Sequence, residues 1–350
     1  MSLKTGLKAL REGRVASLIV AGGQGTRLKI EGPKGLYPIT PVRKKTLFQL
    51  FCEKIKAAEE LAERELPFTI MTSPINDKET KEYFTKNHNF GVNPLFFSQE
   101  MLPFLDEKKN PLKISGPDGN GVSLFHFYKS GIWEKFKKQG VNTLLFIIID
   151  NPLADPFDLD LISHHIEEKN DVTIKCIKKQ DPHESVGSIV EIDEKIRIIE
   201  YTEMDSNESQ NYPLANISLF AFSMDFIQEA AKRVDELPYH TQKKELPNGQ
   251  SIWKREKFIF DNLNFAKKIG KRVYLREDVF SPLKNSTGNN SPDEVKRAIQ
   301  QKDCKVFETI TGVKPDRTHF ELDQAFYYPT TTLLNRWKGR PLPKEEYIKP

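Results

Sequence analysis

Residues 15–35 read VASLIVAGGQGTRLKIEGPKG. The first seven form an almost wholly apolar run of strand length that stops at a glycine pair, the pattern of a strand buried on both faces that empties into a loop. Working outward, similar runs occur at Phe68–Thr72, Leu95–Ser98 and residues 144–150, the last containing LLFIIID, the clearest central strand. Between them Leu47, Leu50, Phe51, Ile55, Ala58 and Leu61 keep the i, i+3, i+4 spacing of one apolar helix face. Strand, helix, strand, helix predicts a doubly wound α/β domain with a largely parallel sheet. Ligands of such sheets bind beyond the carboxyl ends of the strands, so the loops after residues 21, 97 and 149 should converge on one cleft. Later strands are expected at 172–177, Ser188–Ile192, 196–201 and 217–222, with a hairpin turning at Asp193-Glu194. Residues 205–211 and 245–250 read as polar surface loops, 285–292, rich in Asn, Ser and Gly, as a stretch preceding a helix, and the tail from Pro343 to Pro350 as loosely held.

Composition narrows the class. The chain has 350 residues, 38% hydrophobic and 29% charged, enough for two domains or one large α/β domain with an appendage. No apolar run approaches the ~20 residues that cross a bilayer, and residues 1–10 lack the apolar core of a secretory signal, so no membrane partner and a cytoplasmic location are expected. Fifty-three basic against 49 acidic residues leave a net charge of +4, too balanced for a nucleic-acid-binding surface. Basic runs such as Arg43-Lys44-Lys45 and Lys243-Lys244 read as solvated faces, or locally as anion contacts. Cys52, Cys176 and Cys304 are far apart, without CxxC, which argues against a disulfide framework or structural zinc. The seven histidines show no metal spacing and receive no catalytic role.

The glycine loop carries the chemistry. A dinucleotide GxGxxG would need glycine where Leu28 stands, and GxxxxGK[ST] is absent. What remains is a loop whose backbone can approach phosphate oxygens closely, with an arginine inside it and Lys34 set between Pro33 and Gly35. Two cations beside such a nest suit a triphosphate. A tight turn with surface charges is the bland alternative.

The stretch 18–39, LIVAGGQGTRLKIEGPKGLYPI, resembles the signature of the eukaryote-type UDP-sugar pyrophosphorylases, most closely the UDP-N-acetylhexosamine pyrophosphorylases. The resemblance continues in order through FFSQ (96–99), GPDGNG (116–121), IDNPL (149–153), ESVG (184–187), IEYTE (199–203), ANI (215–217), KFIFD (257–261) and FSPLKN (280–285). It spans about residues 18–292. The family has glycine where this chain has Lys29, and histidine where it has Phe220.

That resemblance implies a Rossmann-like nucleotidyltransferase domain over residues 1–300 with a C-terminal extension over 301–350. It implies a Mg²⁺-dependent reaction joining UTP to a hexose 1-phosphate, N-acetylglucosamine 1-phosphate by preference and glucose or galactose 1-phosphate as alternatives. A non-catalytic sugar-nucleotide sensor is the rival of another class. Arg27 is expected on the β- and γ-phosphates, with Lys34 and Lys284 at the reacting phosphate. Gly22, Gly23, Gln99 and Gly119 are expected at the nucleotide, and Gln99 and Gly119 at uracil. Asn120, Gly187, Glu200 and Asn216 are expected at the sugar, and Asp150 on the metal. Asn151 would orient Asp150 or touch sugar. No protein nucleophile is needed when the sugar phosphate itself attacks in line.

Overall fold

The computed structural model describes residues 3–193, 195–246 and 249–350. Its strands are β1 (Val15–Val20), β2 (Phe68–Thr72), β3 (Leu95–Ser98), β4 (Met101–Leu105), β5 (Pro111–Pro117), β6 (Thr143–Ile148), β7 (Val172–Lys178), β8 (Ser188–Ile192), β9 (Lys195–Ile199), β10 (Leu214–Ser223), β11 (His240–Glu245), β12 (Ser251–Glu256) and β13 (Ile269–Tyr274). A nine-stranded sheet runs β13-β7-β10-β6-β1-β2-β3, with β8 on β10 and β9 on β8. β6, β1, β2 and β3 are mutually parallel, and β10 enters antiparallel between β6 and β7. The fold is α/β with a mixed sheet, as the alternating pattern requires.

Both faces of that sheet are covered, and the alternation along its strands shows it. Val15 and Ile19 of β1 and Leu145 and Ile147 of β6 enter one apolar cluster, while Ala16, Leu18, Leu144 and Phe146 enter the other. Helix Leu47–Ala62 packs on the first side, its N-terminus capped by Thr46, whose hydroxyl accepts from the Gln49 N–H. Two-sided burial explains why these strands are near-continuous hydrophobic runs.

Four strands lie outside the expected set and build a second, antiparallel sheet, β11-β12-β4-β5, beside the ends of the first. β11 is HTQKKE and almost wholly exposed, so it carries no apolar signature. The edge strand β13, IGKRVY, was also illegible because lysine and arginine interrupt it. The β8–β9 hairpin forms as expected, with Asp193 at its turn and Glu194 outside the described residues. Of the expected loops, 205–211 contains a short helix, Ser206–Ser209, and residues 247–248 of 245–250 lie outside the described residues.

Two expectations about surfaces are corrected. Lys45 is buried, not solvated: its Nζ lies 2.6 Å from Glu53 and 3.2 Å from Glu321, whose other oxygen accepts from the Val42 and Arg43 N–H groups at 3.0 and 2.8 Å. The tail is pinned: Tyr347–Ile348 pairs with Glu321–Leu322 in a small parallel ladder, and Ile348 is buried. Helix Pro292–Thr311 crosses residue 300 and leads into a third apolar cluster, where Phe307 meets Phe320, Phe326, Trp337 and Ile348.

Candidate functional site

The loops after β1, β3 and β6 do converge. With the PDGNG turn after β5 they line a cleft of about 330 Å³ bounded by Gly22, Gly23, Arg27, Lys34, Gln99, Gly119, Asn120 and Asp150. Each position follows from local structure. The glycine loop folds back on itself: the Gly25 N–H donates to Gly32 O at 3.0 Å, and the Lys34 N–H to Gly23 O at 3.2 Å. Asn76 and Ser73 brace it from the loop after β2, donating to Ala21 O and Gly22 O at 2.8 and 2.7 Å. Lys29 takes φ +58°, the left-handed region that glycine enters at lower cost, which accounts for the glycine the family resemblance leads one to expect there.

Gly22 is required by a close approach. A Cβ there would lie 2.2 Å from the terminal amide of Gln99, so only glycine lets that side chain reach the loop. Gln99 is buried, and its Nε2 donates to Asp118 Oδ1 at 3.2 Å and to the Gly119 carbonyl at 3.1 Å. Both amide hydrogens are thereby engaged, leaving the amide oxygen to act only as an acceptor. Asp118 is fixed in turn by His126 at 2.8 Å. Gly119 has φ +97°, and the turn is strapped by residues 257–259: Gly121 N–H donates to Lys257 O at 2.8 Å, and Ile259 N–H to Asn120 Oδ1 at 3.1 Å.

Asp150 follows β6. Its carboxylate lies 3.7 Å from Lys34 Nζ, and its backbone carbonyl accepts from the Leu283 N–H at 2.7 Å. Lys34 Nζ also donates to Leu283 O at 3.4 Å, so the PLKN segment is tied to both. Asn151 is buried and points away from the cleft: Nδ2 donates to Val279 O at 2.7 Å, and Oδ1 accepts from Ser281 N–H at 3.1 Å. It joins the Asp150 loop to the Lys284 loop and is not placed to contact a sugar.

The remaining residues form a neighbouring group rather than the cleft wall itself. Asn216 N–H donates to Gly187 O at 2.8 Å, and a Cβ on Gly187 would lie 3.2 Å from Glu200 Oε1. Asn216 sits where β10 shifts register, and Ser218 beyond it has φ +55°, an irregularity of the kind found beside sites. Burial first, then the Glu203 carboxylate, pushes Glu200 above the usual carboxylate range, with Lys284 acting in the opposite sense. Phe220 lies in the core against Phe146 and Phe222, so its ring is unavailable to a sugar.

Sequence reasoning missed three cleft residues, Lys254, Glu256 and Phe258. The second sheet delivers the first two, paired at 2.8 Å. Their alternation in SIWKRE was a weak strand signal. His240 was also left without a role; its ring bridges Glu203 and Asp261, each at 2.9 Å, and stacks on Phe258. Burial alone would lower its pKa, but the hydrogen bonds to Asp261 and Glu203 raise it.

A family model described as UTP--glucose-1-phosphate uridylyltransferase matches residues 4–293. The chain belongs to this family. It is a nucleotidyltransferase of the UDP-sugar pyrophosphorylase class. A probable UDP-N-acetylglucosamine pyrophosphorylase of Dictyostelium discoideum is 32% identical over 339 residues, covering 84% of this chain and 69% of the relative. A UDP-N-acetylglucosamine pyrophosphorylase of Saccharomyces cerevisiae is 30% identical over 375 residues, covering 96% and 78%. The crystal structure of the enzyme of that name from Trypanosoma brucei, in complex with an inhibitor, matches with a TM-score of 0.86 at 26% identity, over 95% of this chain and 77% of that one.

No group of three His, Cys, Asp or Glu side chains able to enclose a metal occurs among the described residues. A Mg²⁺ that keeps several waters and takes phosphate oxygens needs only one or two carboxylates, and Asp150, partly exposed at the cleft, fits that role. No helix of the described residues is long and apolar enough to cross a membrane.

Proposed function

We propose that this chain condenses UTP with N-acetylglucosamine 1-phosphate, giving UDP-N-acetylglucosamine and pyrophosphate. The observation that carries the reading is the convergence of Arg27, Lys34, Gln99, Gly119 and Asp150 on one cleft at the strand ends. The names of the Dictyostelium, yeast and trypanosome relatives support the N-acetylated sugar.

In this reading the uracil lies on Gly119 with its N3–H donated to the Gln99 amide oxygen. Glycine-loop amides and Arg27 hold the β- and γ-phosphates, neutralising the charge that leaves as pyrophosphate. Lys34 and Lys284 flank the α-phosphate and align the incoming sugar phosphate oxygen for in-line attack. A Mg²⁺ held by Asp150 would supply further neutralisation of triphosphate charge. Asn120, Gly187, Glu200 and Asn216 hold the sugar; Glu200 and Asn216 offer carboxylate and amide groups to its hydroxyls. His240 keeps Glu203, three residues beyond Glu200, tied to the strap at Asp261. The C-terminal part, 301–350, acts as a structural extension to a catalytic domain over 1–300.

A second reading, glucose 1-phosphate as acceptor, is favoured by the description of the matching family model. Pyrophosphate release from UTP and Mg²⁺, measured separately with glucose, galactose, N-acetylglucosamine and N-acetylgalactosamine 1-phosphates, decides between them. Fastest turnover with N-acetylglucosamine 1-phosphate is expected. Preference for glucose 1-phosphate would establish the second reading, and no release with any sugar, from folded protein that binds UTP, would favour a sensor.

A further inference from the structure

Separate from the nucleotide cleft, with no lining residue in common, lies a cavity of about 410 Å³ between the main sheet domain and the C-terminal segment. Its size is that of a small-molecule site. Leu50, Leu153, Val279, Ile310 and Phe326 give it apolar walls. Gln324, only 5% exposed, lines the same space, and its Oε1 has no hydrogen-bond partner. A buried amide left unpaired is costly, and such groups in native proteins are usually satisfied by a ligand or water.

The charges are unequal. Four lysines, Lys54, Lys175, Lys302 and Lys305, face three aspartates, Asp155, Asp158 and Asp278. Asp155 is held by the Tyr328 hydroxyl and Asp158 by Lys175. Lys302 and Lys305 share the single carboxylate of Asp278, at 2.9 and 2.6 Å. Lys54 donates to the carbonyls of Pro152 and Ala154 at 2.6 and 2.7 Å rather than to a carboxylate. Burial, its largest influence, lowers the Lys54 pKa to about 7, so a nearby anion would draw a proton onto it. Lys302 and Lys305 together carry one positive charge more than the carboxylate they share, beside a largely apolar chamber.

We propose that this cavity is a second ligand site, for a small amphipathic anion whose apolar body fills the chamber, whose N–H or O–H meets Gln324, and whose anionic group sits by Lys302 and Lys305. Because it shares no lining residue with the nucleotide cleft, its occupant and UTP bind together.

The test uses the full chain and 8-anilinonaphthalene-1-sulfonate, an aromatic anion with an N–H, against its uncharged counterpart N-phenyl-1-naphthylamine. Saturable one-to-one fluorescence enhancement by the anion is expected, about tenfold tighter than the neutral compound and unchanged by saturating UTP. Thr309→Trp, at an exposed position lining the cavity, should abolish it with an unchanged melting temperature. Lys305→Glu, also exposed, should weaken it about tenfold and serves should the tryptophan variant fail to fold. No saturable binding, displacement by UTP, equal binding of the neutral compound, or insensitivity to these substitutions would each overturn the proposal.

Discussion

At the scale of single residues, the proposed uracil site rests on Gln99 for its choice of base. Its Nε2 hydrogens are spent on Asp118 and Gly119, so the oxygen can only accept. Uracil presents an N3–H donor to it, whereas cytosine presents a bare nitrogen and would leave the buried acceptor unpaired. Gln99→Ala should therefore shrink the UTP-over-CTP preference by about 1–3 kcal/mol, read as the ratio of kcat/KM values; an unchanged ratio would remove Gln99 from the uracil site. That Gln99 and Asp150 share a cleft was legible, because each follows a strand whose end is fixed by its apolar run, whereas Gly119, after the mostly exposed β5, was reached only through the family resemblance. That Gly22 makes room for Gln99 was not, since a contact between residues 77 positions apart leaves no local pattern. Phe220 is instructive in the other direction. Read as a substitution in the sugar site, it is a core residue, because strand direction and the register shift after Asn216 decide which way a side chain points.

Elements tell a similar story. The buried strands β1, β2 and β6 were legible to within two residues, since two-sided burial leaves near-continuous hydrophobic runs, and the half-buried edge strand β3 kept its apolar LFF. The second sheet was not, because strands stabilised mainly by backbone pairing, such as β11 with β12, need no apolar alternation. Nor did the run Arg43-Lys44-Lys45 reveal that its last member would be enclosed by Glu53 and, from 276 positions away, Glu321. This buried contact staples the C-terminal ladder to the segment preceding helix Leu47–Ala62. Glu321→Leu should cost about 2–5 kcal/mol in urea unfolding by leaving two backbone N–H groups without a partner and Lys45 with Glu53 alone. Combining it with Lys45→Met should recover part of that loss. Equal stability of Glu321→Leu and wild type would mean the pair is not a staple.

The whole molecule should also register pH through a buried histidine. Burial lowers the His165 pKa to about 4, with its Nδ1 3.0 Å from Thr173 Oγ1. A base depressed on folding contributes stability above its unfolded pKa of ~6.5 that is lost as pH falls toward 4. Denaturant unfolding should show a decline of roughly 3 kcal/mol across that window from this group, and His165→Gln should flatten the slope. A slope unchanged by that substitution would assign the acid sensitivity elsewhere. At this scale the α/β class and the convergence of the strand-end loops on one cleft were legible, while the C-terminal ladder and the second sheet were not, both being products of long-range packing. The central claim is that the cleft around Asp150 performs uridylyl transfer. Phosphorus NMR of UTP, Mg²⁺ and N-acetylglucosamine 1-phosphate tests it most directly, with wild type and Asp150→Ala compared at equal melting temperature. The account predicts UDP-sugar and pyrophosphate signals with wild type and a loss of at least about a hundredfold in rate with the variant. Turnover by Asp150→Ala at the wild-type rate would contradict it.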